Sequence, residues 1–442
     1  MPLLMRPGPV VRTGPDEVIV NDPSVLDVIY GFGSKFQKTD FYRLFGFPDI
    51  WGVHVFSTID RNHHSKLSRH IASAYTMTAL VELEPLVDDC IDLFVKKITS
   101  HLSDPGPMNM AKWFQWYAFD VIGQLTFSTK FGFMEQEKDI ENATWTIDLL
   151  LFYVSVIGQA FWLHWLLLGN PLVAWLTKGA SSGSIIMFER QMANKQIQDR
   201  QARGSNHRDM LSRFLQEHEK KPDEYTVKDL HTTCAMNIAA GSDTTGIALT
   251  ATLFHLLKNR HTLQKLRDEI DRFDDDGKLS RPAKLGETQS MPYLQAVIKE
   301  SMRIHPSVAY IYPRYVPEGG IMVAGKHIPA GARIGMNAYM MHRNKSIFGD
   351  DVELFRPERW LGCDTKRMDH YMFQFGAGPY TCMGKHISIL EINKVIVELV
   401  RIFDISLVDQ DFEFKLTNWW FLKPEDLPCA FTKRDRGVQV HV

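Results

Sequence analysis

The chain has 442 residues, of which 45% are hydrophobic and 23% are charged, so it can bury a large core and wholesale disorder is excluded. The 50 basic and 52 acidic residues give a net charge of −2, which disfavours a nucleic-acid partner. Five cysteines are too few for a disulfide framework, and an odd number leaves at least one unpaired thiol, as expected in a reducing compartment.

The predicted elements begin with a β-hairpin over residues 10–22. From about 60 to 310 the spacing of apolar residues is that of helices. The polar stretch 189–230 is predicted to be a solvated connection between helices, and residues 315–334 are predicted to form sheet. The pattern favours a mainly α fold with a small β-sheet region, an α+β class, built as one domain over 1–442.

One uncharged stretch, residues 149–177, is long enough to cross a bilayer. Polar residues interrupt it, including Gln159 and His164, and the sequence Gly-Asn-Pro at 169–171 predicts a break between two helices. We therefore expect a buried or membrane-touching helix pair rather than a membrane span.

A glycine-rich loop at 375–384 contains the most informative cysteine, Cys382. An apolar helical stretch follows, which places Cys382 at a helix N-terminus, where free N–H groups stabilise a thiolate. A thiolate held in this way can be an axial ligand of haem iron. The alternative is a buried cysteine in an ordinary turn, which is the common state of a free cysteine.

A second motif, Ala240-Gly241-Ser242-Asp243-Thr244-Thr245, lies in a helix predicted from about 227 to 258. An acid, a glycine and several hydroxyls are poor choices for the inside of an apolar helix, and such exceptions often mark function. Small Ala240 and Gly241 leave room for a flat cofactor and for dioxygen. The alternative is a strained core helix with a capped acid.

Two further motifs follow in the chain. Glu300 and Arg303 lie on one face of a helix that stops before Pro306, although such pairs are usually surface ion pairs of little value. Arg359 lies in the sequence Phe-Arg-Pro-Glu-Arg-Trp at 355–360. Arg314 follows Pro313 at the start of the second predicted sheet, where it could also be an exposed strand arginine.

Together these motifs resemble those of the cytochrome P-450 superfamily of haem-thiolate monooxygenases, with the strongest likeness to fungal members of the pisatin-demethylase type. Phe375, Gly378, Cys382 and Gly384 match the spacing of that family's haem loop, whereas Tyr380 stands where the family has a basic residue. The resemblance implies a cytochrome P-450 fold, with haem b (iron protoporphyrin IX) between the long distal helix and the helix that follows the cysteine loop.

The resemblance also implies roles for individual residues. Cys382 would be the axial iron ligand, and Asp243 and Thr244 would relay protons during oxygen activation. Glu300, Arg303 and Arg359 would form a structural triad. Arg314 would bind a haem propionate, and His64 is a second candidate, with Ser68 in place of the usual arginine and Arg69 turned away. The remaining residues expected to contact haem are Phe375, Gly376, Gly378, Tyr380, Gly384, Ala240 and Gly241.

Tyr380 supplies no charge, so we expect Tyr380→Arg to tighten haem retention unless another group already serves that propionate.

Family topology indicates a substrate pocket lined mainly by apolar and aromatic side chains, which favours a lipophilic small molecule. The expected contacts are Phe56, Ala240, Val308, Ala309, Tyr310, Trp419 and Trp420. The alternative for each of these residues is an ordinary place in the hydrophobic core, because aromatic stripes are more often core than pocket.

The resemblance implies electrons from NADPH through an external NADPH–cytochrome P-450 reductase, with cytochrome b5 as a second donor. It also implies the cytosolic face of the endoplasmic reticulum membrane, and we expect that this chain lacks the family's N-terminal membrane anchor. The expected activity is oxidation in fungal secondary metabolism or detoxification. One alternative is oxidative coupling, ring closure or desaturation without oxygen insertion. Another is a non-catalytic haem-binding protein, in which Asp243 and Thr244 would have no purpose.

Overall fold

The computed structural model describes residues 8–46, 53–103, 106–167, 170, 194–200, 208–362 and 365–435. The α-helices in these ranges are numbered here in chain order: α1 Leu26–Tyr30, α2 Arg61–Ile71, α3 Met77–Glu82, α4 Glu84–His101, α5 Met110–Phe127, α6 Phe133–Gln136, α7 Ala143–Ile157, α8 Met210–Lys220, α9 Val227–Lys258, α10 Arg260–Asp275, α11 Leu285–Gln289, α12 Pro292–Ile304, α13 Ala338–Met341, α14 Lys345–Phe348, α15 Lys366–His370 and α16 Lys385–Ile402.

The strands are short and form small sheets. In chain order they are β1 Val10–Arg12, β2 Glu17–Val20, β3 Gln37–Lys38, β4 Met108–Asn109, β5 Arg314–Tyr315, β6 Ile321–Val323, β7 Lys326–Ile328, β8 Arg333–Gly335, β9 Phe403–Leu407, β10 Leu416–Asn418, β11 Leu422–Pro424 and β12 Pro428–Lys433. The largest sheet has the order β1-β2-β8-β5-β3, and it joins both regions that the sequence predicts as sheet. The predicted hairpin is confirmed, with Val10 opposite Val20.

Helix α9 runs through the middle of the described structure and has the bounds that the sequence predicts. It begins with a capping box, in which the Thr226 hydroxyl accepts from the Asp229 N–H and the Asp229 carboxylate accepts from the Thr226 N–H. Most of the helix is buried, chiefly against α5. At the crossing, a Cβ on Gly246 would lie 3.0 Å from Gln115 Cα, so only glycine allows this close approach.

Helix α16 follows the cysteine loop and is buried along most of its length. It contacts α9, and Lys394 within it forms buried ion pairs with Glu84 (2.5 Å) and Asp88 (2.7 Å) of α4. The cysteine loop is thereby fixed to the helical core. The sequence-based fold class, mainly α with a small sheet region, is confirmed.

Helix α7 and a 3-10 helix over Phe161–Leu166 lie at the start of the uncharged stretch. The turn between them starts at Gly158, where a Cβ would lie 2.5 Å from the Phe41 ring, and the break predicted at 169–171 lies outside the described residues except for Asn170. Most of 168–177 lies outside the described residues. Among the described helices one stretch, Ile140–Ile157, is long and apolar enough to cross a membrane by length and composition alone.

The prediction of a solvated connection over 189–230 is wrong for α8, whereas residues 219–229 are mostly exposed. Met210, Leu211 and Phe214 bury one face of α8 against the core. The buried carboxylate of Asp209 caps this helix and forms an ion pair with Arg200 at 2.7 Å. A high content of polar residues hid a strongly amphipathic helix.

Candidate active site

A cavity of about 530 Å³ lies between α9, α2, the cysteine loop and the turn between β10 and β11. Apolar side chains form most of its wall. Phe373, Gln374 and the residues of the cysteine loop other than Gly378 form one side, and Ala240, Gly241 and Thr244 of α9 form the facing side. The structure therefore brings the two central motifs of the sequence to opposite walls of one chamber.

The sulfur of Cys382 is accessible from this cavity. The Cys382 N–H donates to the Phe375 carbonyl at 2.8 Å and closes the loop on itself. Burial raises the pKa of the Cys382 thiol, while the N–H groups of Gly384 and Lys385 and the ammonium of Lys385 act in the opposite direction. A metal cation at this sulfur would remove the proton outright. Among the other cysteines, Cys90, Cys234 and Cys429 are buried, and Cys363 lies outside the described residues.

The glycines of the loop have different uses. Gly376, with φ of 70°, lines the cavity, as do Phe375, Tyr380 and Gly384. Gly378, with φ of 61°, packs instead against α1, and a Cβ there would lie 2.1 Å from the Tyr30 carbonyl oxygen.

Tyr30 connects distant parts of the chain around the loop. Its hydroxyl donates to the Tyr312 carbonyl at 2.7 Å and accepts from the Met336 N–H at 2.8 Å. Its ring contacts Phe373 with centroids 5.0 Å apart. The cysteine loop thus rests on helix α1.

On the facing wall, the Thr244 hydroxyl donates to the Ala240 carbonyl at 2.9 Å, and the Ser307 hydroxyl donates to the Thr244 carbonyl at 2.7 Å. A Cβ on Gly241 would lie 3.1 Å from the Ile122 side chain. Small residues therefore let α9 approach α5 closely while Thr244 faces the cavity.

Asp243 is buried and does not line the cavity; its carboxylate contacts Gln115 of α5 and Lys423 of β11 instead. Its Oδ1 accepts from the Gln115 amide and lies 3.2 Å from Lys423 Nζ. Its Oδ2 has no hydrogen-bond partner among the described atoms. The ammonium of Lys423 also pairs with Asp148 of α7 at 2.8 Å.

Burial lowers the pKa of Lys423, but the carboxylates of Asp243 and Asp148 outweigh it and leave that pKa raised. The side chain of Asp148 is 39% exposed, so the network joins the surface to the buried Asp243. Sequence reasoning missed Gln115, Lys423 and Asp148, and no local motif marks them.

Cationic and aromatic side chains gather at one edge of the cavity. Arg314 is buried, and its guanidinium donates to the Tyr42 hydroxyl at 2.6 Å. The ring of His64 lies 4.5 Å from that of Tyr380, and burial together with Lys38 and Arg314 lowers the pKa of His64 to about 4. Ser68 also lines the cavity, whereas Arg69 is exposed, as its helical phase predicts. Lys38, which the sequence analysis did not single out, completes this edge.

The predicted triad is assembled in the structure. The Glu300 carboxylate lies 2.9 Å from both Arg303 and Arg359, and all three residues are buried. Arg303 also donates to the carbonyl of His342 at 3.0 Å. The His342 ring accepts from the Phe373 N–H at 2.8 Å, so the triad supports the start of the cysteine loop.

Four of the predicted substrate contacts line the cavity: Phe56, Ala240, Val308 and Trp420. The other three do not. Ala309 points away because Val308 pairs with Phe421 in an extended bridge, which puts successive side chains on opposite sides. Tyr310 stacks on Phe41 at 5.4 Å, and Trp419 packs against Phe152 at 4.7 Å and is 37% exposed.

Comparison with known proteins decides the family, since the model of the family described as Cytochrome P450 matches residues 9–428. The chain belongs to this family. A cytochrome P450 monooxygenase of Aspergillus terreus is 40% identical over 90% of this chain and 83% of its own length. Pisatin demethylase of Fusarium vanettenii is 36% identical over 96% of this chain and 82% of its own length. Cytochrome P450 monooxygenase cicH of Emericella nidulans is 36% identical over 94% and 84%.

This cytochrome P450 is accordingly an oxidoreductase of the monooxygenase class, and the family implies a haem-iron cofactor. The resemblance seen in the sequence is confirmed. The structure fits that cofactor on independent grounds. A thiol faces small residues across an apolar chamber, and Gly376 and Gly384 keep side-chain bulk off its wall. Two buried basic side chains, Lys38 and Arg314, lie at one edge, and such side chains are suited to bind the carboxylates of haem.

Proposed function

We propose that this cytochrome P450 uses dioxygen to hydroxylate or otherwise oxidise a lipophilic small molecule, and that residues 1–442 act as a single catalytic domain. The observation that carries the proposal is the arrangement of Cys382 and Thr244 on facing walls of one apolar cavity, with the buried acid Asp243 next to Thr244 in α9. A non-catalytic haem binder would need neither the hydroxyl nor the buried acid.

Haem bound in this cavity would supply the oxygen-activating chemistry, with the Cys382 sulfur as its axial ligand. Phe375, Gly376 and Gly384 would shape the side around that sulfur, and Ala240 and Gly241 would leave space on the other side. Arg314 would bind a propionate. His64, whose ring contacts Tyr380 at the same edge and whose pKa is lowered to about 4, would be neutral there and would offer a propionate one hydrogen bond without a charge.

Thr244 and Asp243 would deliver protons to the reacting oxygen. The Thr244 hydroxyl faces the cavity and donates to a backbone carbonyl, so its oxygen lone pairs are available to accept a hydrogen bond. Lys423 bridges Asp243 and the partly exposed Asp148, and the three groups form a route from the surface to the helix interior. The ammonium of Lys423 would give a proton to Asp243 and regain one through the partly exposed Asp148.

The substrate is proposed to be apolar and ring-bearing, because Phe45, Phe56 and Trp420 form part of the cavity wall. Large apolar side chains also lie exposed along one face of α7, namely Trp145, Leu149, Phe152 and Val156. We propose that this face contacts the cytosolic surface of the endoplasmic reticulum membrane, where lipophilic substrates concentrate. The fungal relatives support a role in secondary metabolism or detoxification.

Electrons are proposed to come from NADPH through a separate NADPH–cytochrome P450 reductase, with cytochrome b5 as a second donor. The described residues form one haem-protein fold and include no flavin or nicotinamide fold.

The first test is optical. The reduced protein under carbon monoxide should show the strongly red-shifted Soret band of thiolate-ligated haem, and Cys382→Ala should abolish it. A retained band in that variant would refute the ligand assignment.

The second test addresses the reaction. With a substrate found by spectral binding screens, Thr244→Ala should release more peroxide per NADPH consumed than the parent, and unchanged coupling would refute the relay. Under isotopically labelled dioxygen, label in the product supports oxygen insertion. An unlabelled product would instead indicate coupling, ring closure or desaturation.

A further inference from the structure

Lys38 is a buried cation in an unusual place. It is 3% exposed, and it lies on β3 directly opposite Arg314 of β5 in an antiparallel register. Like charges opposite one another across a sheet are destabilising, and burial increases the cost. Neither side chain has a carboxylate within ion-pair distance in the described ranges.

The surroundings of Lys38 hold its ammonium in position. Its Nζ donates to the carbonyls of Val55 at 3.2 Å, Phe56 at 2.8 Å and Thr58 at 3.3 Å. These are neutral acceptors, which stabilise a cation without neutralising it. Burial, and then the neighbouring charge of Arg314, hold the pKa of Lys38 well below its usual range. An anion bound beside Lys38 would oppose both effects and favour the ammonium form.

Both cations lie against the same aromatic ring. Lys38 Nζ is 4.6 Å from the centroid of the Tyr380 ring, and the Arg314 guanidinium carbon is 5.1 Å from it. Tyr380, Ser68, Lys38 and Arg314 all line the cavity edge. Tyr380 and Ser68 occupy the two positions where the family resemblance leads one to expect basic residues, so the chain lacks two charges there.

We propose that Lys38 binds one haem propionate beside Arg314 and supplies the charge that Tyr380 and Ser68 do not. Two carboxylates of haem would then meet two buried cations, and the like-charge pair across β3 and β5 would become a binding site. The inference rests on haem binding through Cys382, which is part of the proposed function.

The experiment uses the haem-loaded full chain. Lys38→Met keeps the length and apolar stem of the side chain but removes its charge, and Lys35→Met is the matched control because Lys35 is exposed. Haem transfer to excess apomyoglobin is followed by the Soret spectrum. We expect transfer at least about tenfold faster from Lys38→Met, as for loss of one hydrogen bond between charged groups. Lys35→Met and Lys38→Arg should retain haem like the parent.

A second measurement reports on the propionate itself. The propionate-bending band in resonance Raman spectra should shift in Lys38→Met while the reduced carbon monoxide band stays at its thiolate position. A thiolate band missing from the parent would refute the proposed function rather than the role of Lys38. Unchanged transfer and an unchanged propionate band in Lys38→Met would refute that role.

Tyr380→Arg, made without any change at Lys38, keeps the proposal testable even if Lys38→Met folds poorly. Tyr380→Arg alone adds a third cation beside two others, so we now expect no tighter haem retention, which reverses the expectation from the sequence. In the Lys38→Met background, Tyr380→Arg should slow haem transfer back towards the parent rate. Tighter retention in Tyr380→Arg alone would show that the propionate lacks a cation and would overturn the proposal.

Discussion

The buried triad allows a quantitative prediction for Glu300→Gln. The carboxylate accepts two N–H groups of Arg303, one of Arg359, the backbone N–H of Arg356 and the indole N–H of Trp360, all at 2.8 to 2.9 Å. A glutamine offers one oxygen and one NH2 group. If its oxygen takes the place of Oε1, the NH2 faces the indole and the Arg303 Nε–H, which are both donors.

Each of these two buried donors, left without an acceptor, lowers the free energy of unfolding by about 1–3 kcal/mol. By a second estimate, breaking a buried ion pair lowers it by about 3–5 kcal/mol in total. We take about 3–5 kcal/mol as the loss, since the two estimates describe the same contacts. The entropy of unfolding for 442 residues is about 0.9 kcal/mol per kelvin. The expected fall in the thermal midpoint is therefore about 3–5 °C.

The assay is far-ultraviolet circular dichroism during heating, with the Soret band as a second probe. Glu353→Gln is the matched control, because Glu353 pairs with Arg343 at the surface and is 64% exposed. Such a pair contributes at most about 1 kcal/mol, so its midpoint should change by about 1 °C or less. Equal midpoints for Glu300→Gln and the parent would refute the inference that this carboxylate neutralises buried cations.

Three further predictions concern the loop, the proton route and pH. Gly378→Ala should lower haem content, which spectral titration of haem will measure. The new Cβ would lie 2.1 Å from the backbone of α1, and φ of 61° strains an alanine. Lys423→Met should lower substrate turnover by roughly tenfold or more, since Asp243 loses its link to the surface. His342 has a pKa lowered to about 3 by burial and Arg303, against 6.5 when unfolded. Below pH 6.5 this histidine binds a proton in the unfolded state but not in the folded state, so the free energy of unfolding should fall as pH drops towards 3. In His342→Gln, the dependence of the unfolding free energy on pH should be smaller by about 1.4 kcal/mol per pH unit in this range.

Each of these has a control. Gly331 has φ of 81°, and a Cβ there would have no neighbour within 4 Å. Gly331→Ala therefore reports the effect of backbone strain without a steric clash. Lys415 is 82% exposed and His370 is 49% exposed, so Lys415→Met and His370→Gln should match the parent in turnover and in pH dependence. Haem content in Gly378→Ala equal to that of Gly331→Ala would contradict the contact with α1. Full turnover by Lys423→Met would contradict the proton route.

Local patterns account for what the sequence predicts well. The bounds of α9 follow from its capping box and its apolar run. The partners Glu300 and Arg303 are neighbours on one helical turn, and Cys382 is marked by the glycines around it. Each of these signals is carried by a few consecutive residues, so a sequence can show them directly.

The missed residues depend on long-range pairing. Lys38 joins the site only through the strand register that places it opposite Arg314. Lys423 reaches Asp243 only because β11 packs against α9. Neither arrangement has a local signature. The side of the chain that Ala309 and Tyr310 face depends on an isolated bridge between Val308 and Phe421, which no periodicity reveals.

The contacts of Tyr30 have a consequence for biosynthesis. The hydroxyl of Tyr30 bonds to the carbonyl of Tyr312, 282 residues later in the chain, and the loop of Cys382 rests on the same segment. At about 5–20 residues per second, a ribosome needs roughly 15–60 s to make the intervening chain. During most of translation, helix α1 therefore lacks the residues that it contacts in the folded protein, namely Tyr312 and the cysteine loop. Haem can bind only after the cysteine loop has been synthesised. Chaperones that bind the emerging chain would act in this interval.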